Sequence, residues 1–385
     1  MNSRAILFCF ALALLNVLNA QTTTSNLNSI SIQKDDNFNG FDLFDIRDQQ
    51  LFVLAEHWHN IKSVPRATMK VLKYLHQNGN VRILAIEQGQ SAAYLINQFL
   101  ASGDTLVLRY IARNTMFWGK ENYAFFQDLF EFNEILPEEE RITVESIDIE
   151  YKMESAIFMM NQLIEGKEIP PSLDPTIGQF RKIFEDTREH REQYDGLSVM
   201  FYYDKEIVTQ LVRHTLYDIE NQSEVYLDFF GSDFVQFATM ILDMDDGLMF
   251  DYTNPNTNYK IRDRLIYGKF TELLETYPDK GILCVIGMRH ATEGSSISML
   301  NTMSYSPLQN KVMNIRISAL FHKSFKSSDL RRINYTFPDQ LKINSATLIK
   351  HDLNDPKFKF KKTFDYTLFI NDDGNLTPFE NVYKD

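Results

Sequence analysis

The chain is 385 residues long with 44% hydrophobic and 13% aromatic residues, enough apolar material for one large elaborated domain or two small ones. Its formal charge of -13 and pI near 5.2 leave no basic footprint for nucleic acid or an anionic membrane face as partner.

The N-terminus has the pattern of an export signal. Arg4 supplies the positive start, AILFCFALALLNVL the apolar middle, and Leu18-Asn19-Ala20 a cleavage tripeptide, so residues 1–20 are expected to be removed, leaving Gln21 first. The apolar run falls short of the roughly 20 residues a membrane span needs, and no later stretch is expected to supply one. The expected product is soluble, exported, and periplasmic or secreted. Cys9 departs with the signal, so Cys284 has no partner for a disulfide and reads as a small buried hydrophobe. Residues 21–40 are polar and aperiodic and read as a leader or linker, with structure beginning near Phe41.

Strand-like runs then occur at 49–57, 81–87, 142–150, 281–287, 311–321 and 365–370, several of them apolar on both faces, as strands in a doubly covered sheet are. Between the first two, VPRATMKVLKYLHQNGN carries Val64, Met69, Leu72 and Leu75 at helical spacing, Pro65 near its start and Gly79 at its end. SAAYLINQFLASG, closed by Gly103, predicts a second helix after Glu87. From Met153 to about Pro278 the pattern is helical almost throughout, and its Phe, Tyr and Met residues read as the core of packed helices before they read as an aromatic wall for an apolar ligand. The expected fold is therefore α/β: a central, mostly parallel sheet flanked by helices, built from residues 41–152 and 279–385, with a large helical insertion at 153–278.

Chemistry-bearing residues concentrate at the strand ends. LFVLAEHWHN (51–60) runs from five apolar positions into Glu56, His57 and His59; the second strand ends in Glu87, the third in Asp148 and Glu150, and the strand near 285 in Arg289 and His290. Carboxyl ends of neighbouring parallel strands open onto one crevice. Unpaired buried carboxylates and imidazoles cost several kcal/mol each, on the order of the desolvation penalties for such groups, so a convergent set is either mutually satisfied or a site.

These residues carry a resemblance. AEHWHN, a helix, and LAIEQGQSAAYLINQFLASGD resemble the opening of the erythromycin esterase-like proteins, within the superfamily that includes the ChaN haem-binding lipoproteins and the Tiki proteases. FWGKENYAFFQDLFEFN (117–133) is similar to that family's Trp-containing helix, SIDIE to its third strand, IRDRLIYGKF to its Arg-Asp helix and FDYTLFI to its closing strand, so the resemblance covers nearly the whole chain after the signal. The chain departs from the family pattern at Ala55 and Asn60, where glycines are expected, near Ser63, where an acidic residue is, and at His57 and Arg289.

The resemblance implies a hydrolase in which a histidine activates water against an ester carbonyl of a small, partly apolar substrate. On the matching positions His59 is the general base, Glu56 and Glu87 orient it, and His290 with Arg289 face the developing oxyanion. His57, Asp148, Glu150, Arg262 and Asp263 are second-rank candidates. No cofactor is called for by that reading. Two alternatives stay open: a divalent metal held by Glu56, His59, Glu87 and His290, and a non-catalytic haem-binding protein using His57, His190 or His214. The strand-end Glu-x-x-His lacks the helical i, i+4 histidine spacing of a local zinc motif. Sequons at Asn221, Asn334 and Asn375 matter only in a host that glycosylates.

Overall fold

A computed structural model describes residues 27–35, 37–56, 59, 61–114, 119–150, 153–193, 205–249, 255–292, 294–304, 306–319, 345–350 and 364–370. The signal-like segment, Cys9, His57, Asn334 and Asn375 lie outside the described residues. Eight described strands make one sheet: β1 (Leu27–Ser31), β2 (Leu51–Glu56), β3 (Val81–Ile86), β4 (Thr143–Ser146), β5 (Gly281–Gly287), β6 (Val312–Ala319), β7 (Ser345–Lys350) and β8 (Tyr366–Ile370). Their spatial order is β1-β7-β8-β6-β2-β5-β3-β4. From β8 to β4 every neighbour is parallel, while β7 and β1 add an antiparallel edge.

The described helices are α1 (Val64–Asn78), α2 (Gln90–Ser102), α3 (Thr105–Asn114), α4 (Lys120–Glu134), α5 (Met153–Ile164), α6 (Gln179–Gln193), α7 (Lys205–Phe230), α8 (Phe234–Met249), α9 (Pro255–Thr276) and α10 (Ser296–Thr302). Alternation along the strands explains how they cover both faces. Phe52 and Leu54 of β2 join Leu84, Ile86 and the apolar stripes of α1 to α4 in one core, while Leu51, Val53 and Ala55 join Ile282, Cys284, Ile266 and Phe270 in the other. Cys284 is a fully buried core residue, as its apolar neighbourhood in the sequence suggests.

Between β4 and β5 the described residues are mostly helical, and α5 to α8 build a third core from Met153, Met160, Phe180, Tyr226, Phe237, Met240 and their neighbours. Many of the described Phe, Tyr and Met residues of this stretch pack there against one another; the Phe230 and Phe237 rings stack at 4.1 Å.

Three expectations need correction. The polar leader contains β1, whose five residues pair with Ser345–Ile349 and whose Ile30 is buried, as is the following Ile32, so ordered structure starts before Phe41. A short edge strand with one buried face shows only every second apolar residue, which is why LNSIS looks aperiodic. The run YLDFFGSDFVQFATMILDM is not one helix: it breaks at the 3-10 turn Gly231–Asp233, where Gly231 takes φ 60, a left-handed value suited to glycine. Finally, the stretch Lys205–Met249 is long and apolar enough by composition to cross a membrane, although none was expected. It is interrupted by that turn and by non-helical backbone at Gln222 (φ -137), and α7 packs against α8 in the third core.

The place of β1 in the core predicts that Ile30→Ala destabilises the protein by about 2–5 kcal/mol, the range for truncating a buried isoleucine. Urea unfolding reads this as a lower midpoint with unchanged slope; an unchanged midpoint would show that the segment is a mere leader.

Candidate active site

The parallel order sets β2, β3, β4 and β5 side by side at one rim, and each delivers an ionisable residue there at or just beyond its carboxyl end. Glu56 closes β2 and His59 follows three residues later. Glu87 follows β3, Asp148 follows β4, and β5 runs into a 3-10 turn, Met288–Ala291, that carries His290. Helix α9, returning from the insertion, adds Arg262 and Asp263.

These side chains form one continuous chain of contacts. His59 Nδ1 lies 3.0 Å from Glu56 Oε2, and its Nε2 lies 3.9 Å from Glu87 Oε2. Glu87 Oε1 accepts a 2.8 Å hydrogen bond from Arg262 Nη2 and sits 3.3 Å from His290 Nε2. Its other oxygen accepts the Gly287 N–H. Arg262 grips Asp148 with both Nε and Nη2, and His290 Nδ1 is 2.8 Å from Asp263 Oδ1. Asp263 also accepts from the Ser296 hydroxyl at 3.2 Å. Glu56, Glu87, Asp148 and His290 are buried; the His59 side chain keeps 42% of its surface exposed and is the open end of the network.

Charge explains the protonation behaviour. Four carboxylates, Glu56, Glu87, Asp148 and Asp263, share one guanidinium, so the deficit of positive charge draws protons onto the imidazoles. Burial opposes a charged His59, but the Glu56 hydrogen bond and the Glu56 and Glu87 charges outweigh it and raise its pKa to about 9. His290 follows the same balance, with burial overcome by Asp263 and Glu87, and also rises to about 9. Burial works against ionised Glu87 too, yet His290, His59 and Arg262 hold its pKa well below the usual carboxylate range.

Not every expected residue joins the network. Arg289, expected to face an oxyanion beside His290, stacks its guanidinium on the Tyr259 ring at 3.4 Å. His290 offers no ring nitrogen to an oxyanion, since carboxylates face both. Glu150 accepts the Ser91 N–H at 3.0 Å in the first turn of α2, and burial raises its pKa to about 8. His214 lies half-exposed on α7, 3.6 Å from Asp218. Conversely, the sequence reading missed Gly287 and Asn122. A Cβ at Gly287 would come within 3.1 Å of His59 Nε2 and 3.2 Å of Glu87 Oε2, so only glycine leaves the pair undisturbed. Asn122, on α4, is buried and lines the small pocket described next; it falls within the quoted stretch FWGKENYAFFQDLFEFN, where nothing in its spacing marks it out.

That pocket, about 30 Å³ in volume, is lined by Glu56, His59, Glu87, Asn122, Val64, Pro65 and Val285. Such a volume suits about one water molecule. Among the described residues no three His, Cys, Asp or Glu side chains are grouped to hold an ion. Glu56 and His59, and Glu87 and His290, face each other instead, and Arg262 supplies the positive charge between Glu87 and Asp148.

No protein-family model and no curated protein matches the chain. Solved structures match its fold. A Bacillus cereus protein superposes with TM-score 0.63 at 13% identity, covering 94% of this chain and 98% of that one. A variant of the erythromycin esterase EreC in its open conformation superposes with TM-score 0.60 at 12% identity, over 93% and 100% of the two chains. A succinoglycan biosynthesis protein gives 0.62 at 12% identity, over 92% and 96%. The chain thus has the erythromycin esterase fold over nearly its whole length.

Removing Asp148 leaves the buried Arg262 guanidinium with Glu87 but without its two-point partner, so Asp148→Ala is expected to cost about 3 kcal/mol in urea unfolding, the low end for breaking a buried pair, and Asp148→Ala with Arg262→Met to recover part of it. The imidazoles set the pH dependence. Because the folded His290 pKa lies near 9, above its ordinary 6.5, its charged form stabilises the fold fully below pH 6.5, and that contribution is lost as pH rises through about 9. The urea midpoint should fall between pH 7 and pH 10, and fall less in His290→Asn; equal declines would contradict the assignment.

Proposed function

We propose that this protein is an exported, metal-independent hydrolase in which His59 activates a water molecule against the carbonyl of a small, partly apolar ester. The observation that carries this reading is the two-sided environment of one ring: Nδ1 is held by Glu56, Nε2 lies 3.9 Å from Glu87 and so beyond hydrogen-bond range, and the residue lines a water-sized pocket. With Nδ1–H donated to Glu56, the neutral imidazole presents Nε2 as a proton acceptor, and the carboxylate stabilises the imidazolium formed when it takes the proton. Glu87, held ionised by Arg262 and His290, adds a second negative charge beside that imidazolium. Val64, Pro65 and Val285 give the pocket an apolar wall, and its volume suits the attacking water. The fold shared with an erythromycin esterase supports the reaction class, and the signal-like residues 1–20 support action after export.

The raised pKa has a kinetic consequence. With His59 titrating near 9, only about 1% of the molecules carry the base form at pH 7, since each pH unit below the pKa lowers that fraction roughly tenfold. Hydrolysis of a panel of small esters should therefore rise about tenfold per unit from pH 6 towards 8 and level off above about 9. His59→Ala should lose at least about 100-fold in kcat/KM, the usual contribution of a positioned base, and chelation should leave the wild type unaffected. A His59→Ala variant as fast as wild type would remove His59 from the mechanism. Activity lost to a chelator and restored by zinc or manganese would overturn the metal-independent assignment.

A further inference from the structure

Ester hydrolysis needs a hydrogen-bond donor aimed at the carbonyl oxygen as well as a base, and the cationic groups of the cluster are committed elsewhere. Arg262 is bound by Asp148 and Glu87, His290 lies between Glu87 and Asp263, the Gly287 N–H is taken by Glu87, and Arg289, stacked on Tyr259, is not one of the residues lining the pocket. Among the described residues lining the pocket, Glu56 and Glu87 are acceptors, Val64, Pro65 and Val285 have no polar side-chain atom, and His59 is the base. Asn122 remains. It is 7% exposed, sits in the first turn of α4 and shares the pocket with His59 and both carboxylates. No hydrogen bond to another described residue occupies its amide, although the neighbouring buried asparagine on the same helix, Asn133, is fully engaged by the backbone of Ile142. The amide atoms of Asn122 are not among the sealed, unpartnered polar atoms of the described residues, so they stay open to a water or a ligand oxygen.

Resting on the hydrolase reading above, we infer that the Asn122 side-chain amide is the donor that receives the substrate's carbonyl oxygen and stabilises the charge developing on it. Neutral His59 takes a proton from water as the water oxygen bonds to the carbonyl carbon. The carbonyl π pair moves onto oxygen, and the resulting oxyanion accepts the Asn122 N–H. When the tetrahedral centre collapses, the C–O bond to the alkoxy group breaks and the departing oxygen takes the proton from His59. The net change is ester and water to acid and alcohol, with the base restored. An uncharged donor suits this place, because a further cation in the pocket would lower the basicity of His59.

The test compares wild type, Asn122→Ala, Asn122→Asp and His59→Ala on the best ester found in the panel, with a phosphonate analogue of that ester as an inhibitor. Asn122→Ala should lose roughly 100- to 1000-fold in kcat, the usual cost of removing one oxyanion donor, with KM changed by no more than a few fold. Its phosphonate affinity should fall by the same factor as kcat/KM, while the alkaline midpoint near 9 stays in place because the base is untouched. A merely structural asparagine would not weaken the analogue selectively. Asn122→Asp, nearly isosteric but lacking the donor when ionised, should fall at least as far and covers the case in which the alanine variant fails to fold. If His59→Ala is inactive while both Asn122 variants stay within threefold of wild type, the donor assignment is wrong and the hydrolase reading stands. If wild type hydrolyses none of the esters, or His59→Ala matches it, the hydrolase reading fails and takes this assignment with it.

Discussion

The site depends on one buried carboxylate. Glu87 is almost wholly withdrawn from water, a position that costs several kcal/mol for an isolated charge on the order of measured desolvation penalties. It is kept ionised by a guanidinium, an imidazole and a backbone N–H that all reach it within hydrogen-bond range or close to it. Each partner comes from a different piece of the fold: Arg262 from α9, His290 from the turn after β5, Gly287 from the end of β5 itself. One ion therefore fixes the relative placement of β3, β5 and α9, and its charge holds protons on His290 and His59. The close approach also limits the backbone, since a side chain at residue 287 would collide with Glu87 and His59 together.

The helical insertion is tied into this arrangement by two consecutive residues. On a helix, neighbours point about 100° apart, so Arg262 and Asp263 cannot serve the same partner. Arg262 bridges Glu87 and Asp148, while Asp263 holds the far nitrogen of His290. The last helix before β5 thus clasps the cluster from both sides, and the exposed ring of His59 is left as its working end. Compensation inside the cluster is incomplete by design of the sequence: the excess of carboxylates over fixed cations is what makes the two imidazoles strong bases.

Much of this architecture was legible in the amino-acid order. β2, β3 and β5 are apolar on both faces because helices cover both sides of them, and that continuity separates them from amphipathic segments without any structural input. The convergence of Glu56, His59, Glu87 and His290 followed from the rule that parallel strands share a carboxyl rim. The remainder was hidden for identifiable reasons. β1 is a short edge strand whose pairing with β7 joins residues more than three hundred positions apart, and nothing local records it. The break at Gly231 lies between two strongly apolar helical stretches whose pattern masks the short Gly-Ser-Asp turn signal. Arg289 and His290 are adjacent in sequence, but the 3-10 turn sends one to Tyr259 and the other into the cluster, a separation spacing alone does not reveal. Asn122 is one of several polar residues on α4, and what sets it apart is the pocket it lines.

The central claim is that Glu56 and Glu87 turn His59 into a strong base with Nδ1 protonated and Nε2 facing the pocket. Nitrogen-15 NMR of the imidazole, titrated from pH 5 to pH 10.5 in wild type and Glu56→Gln, reads both the pKa and the tautomer. The account predicts a wild-type pKa near 9, an Nδ1–H tautomer above it, and a clear fall in pKa when Glu56 loses its charge. A His59 that titrates near its ordinary 6.5 and ignores Glu56→Gln, or that is neutral with its proton on Nε2, would contradict it.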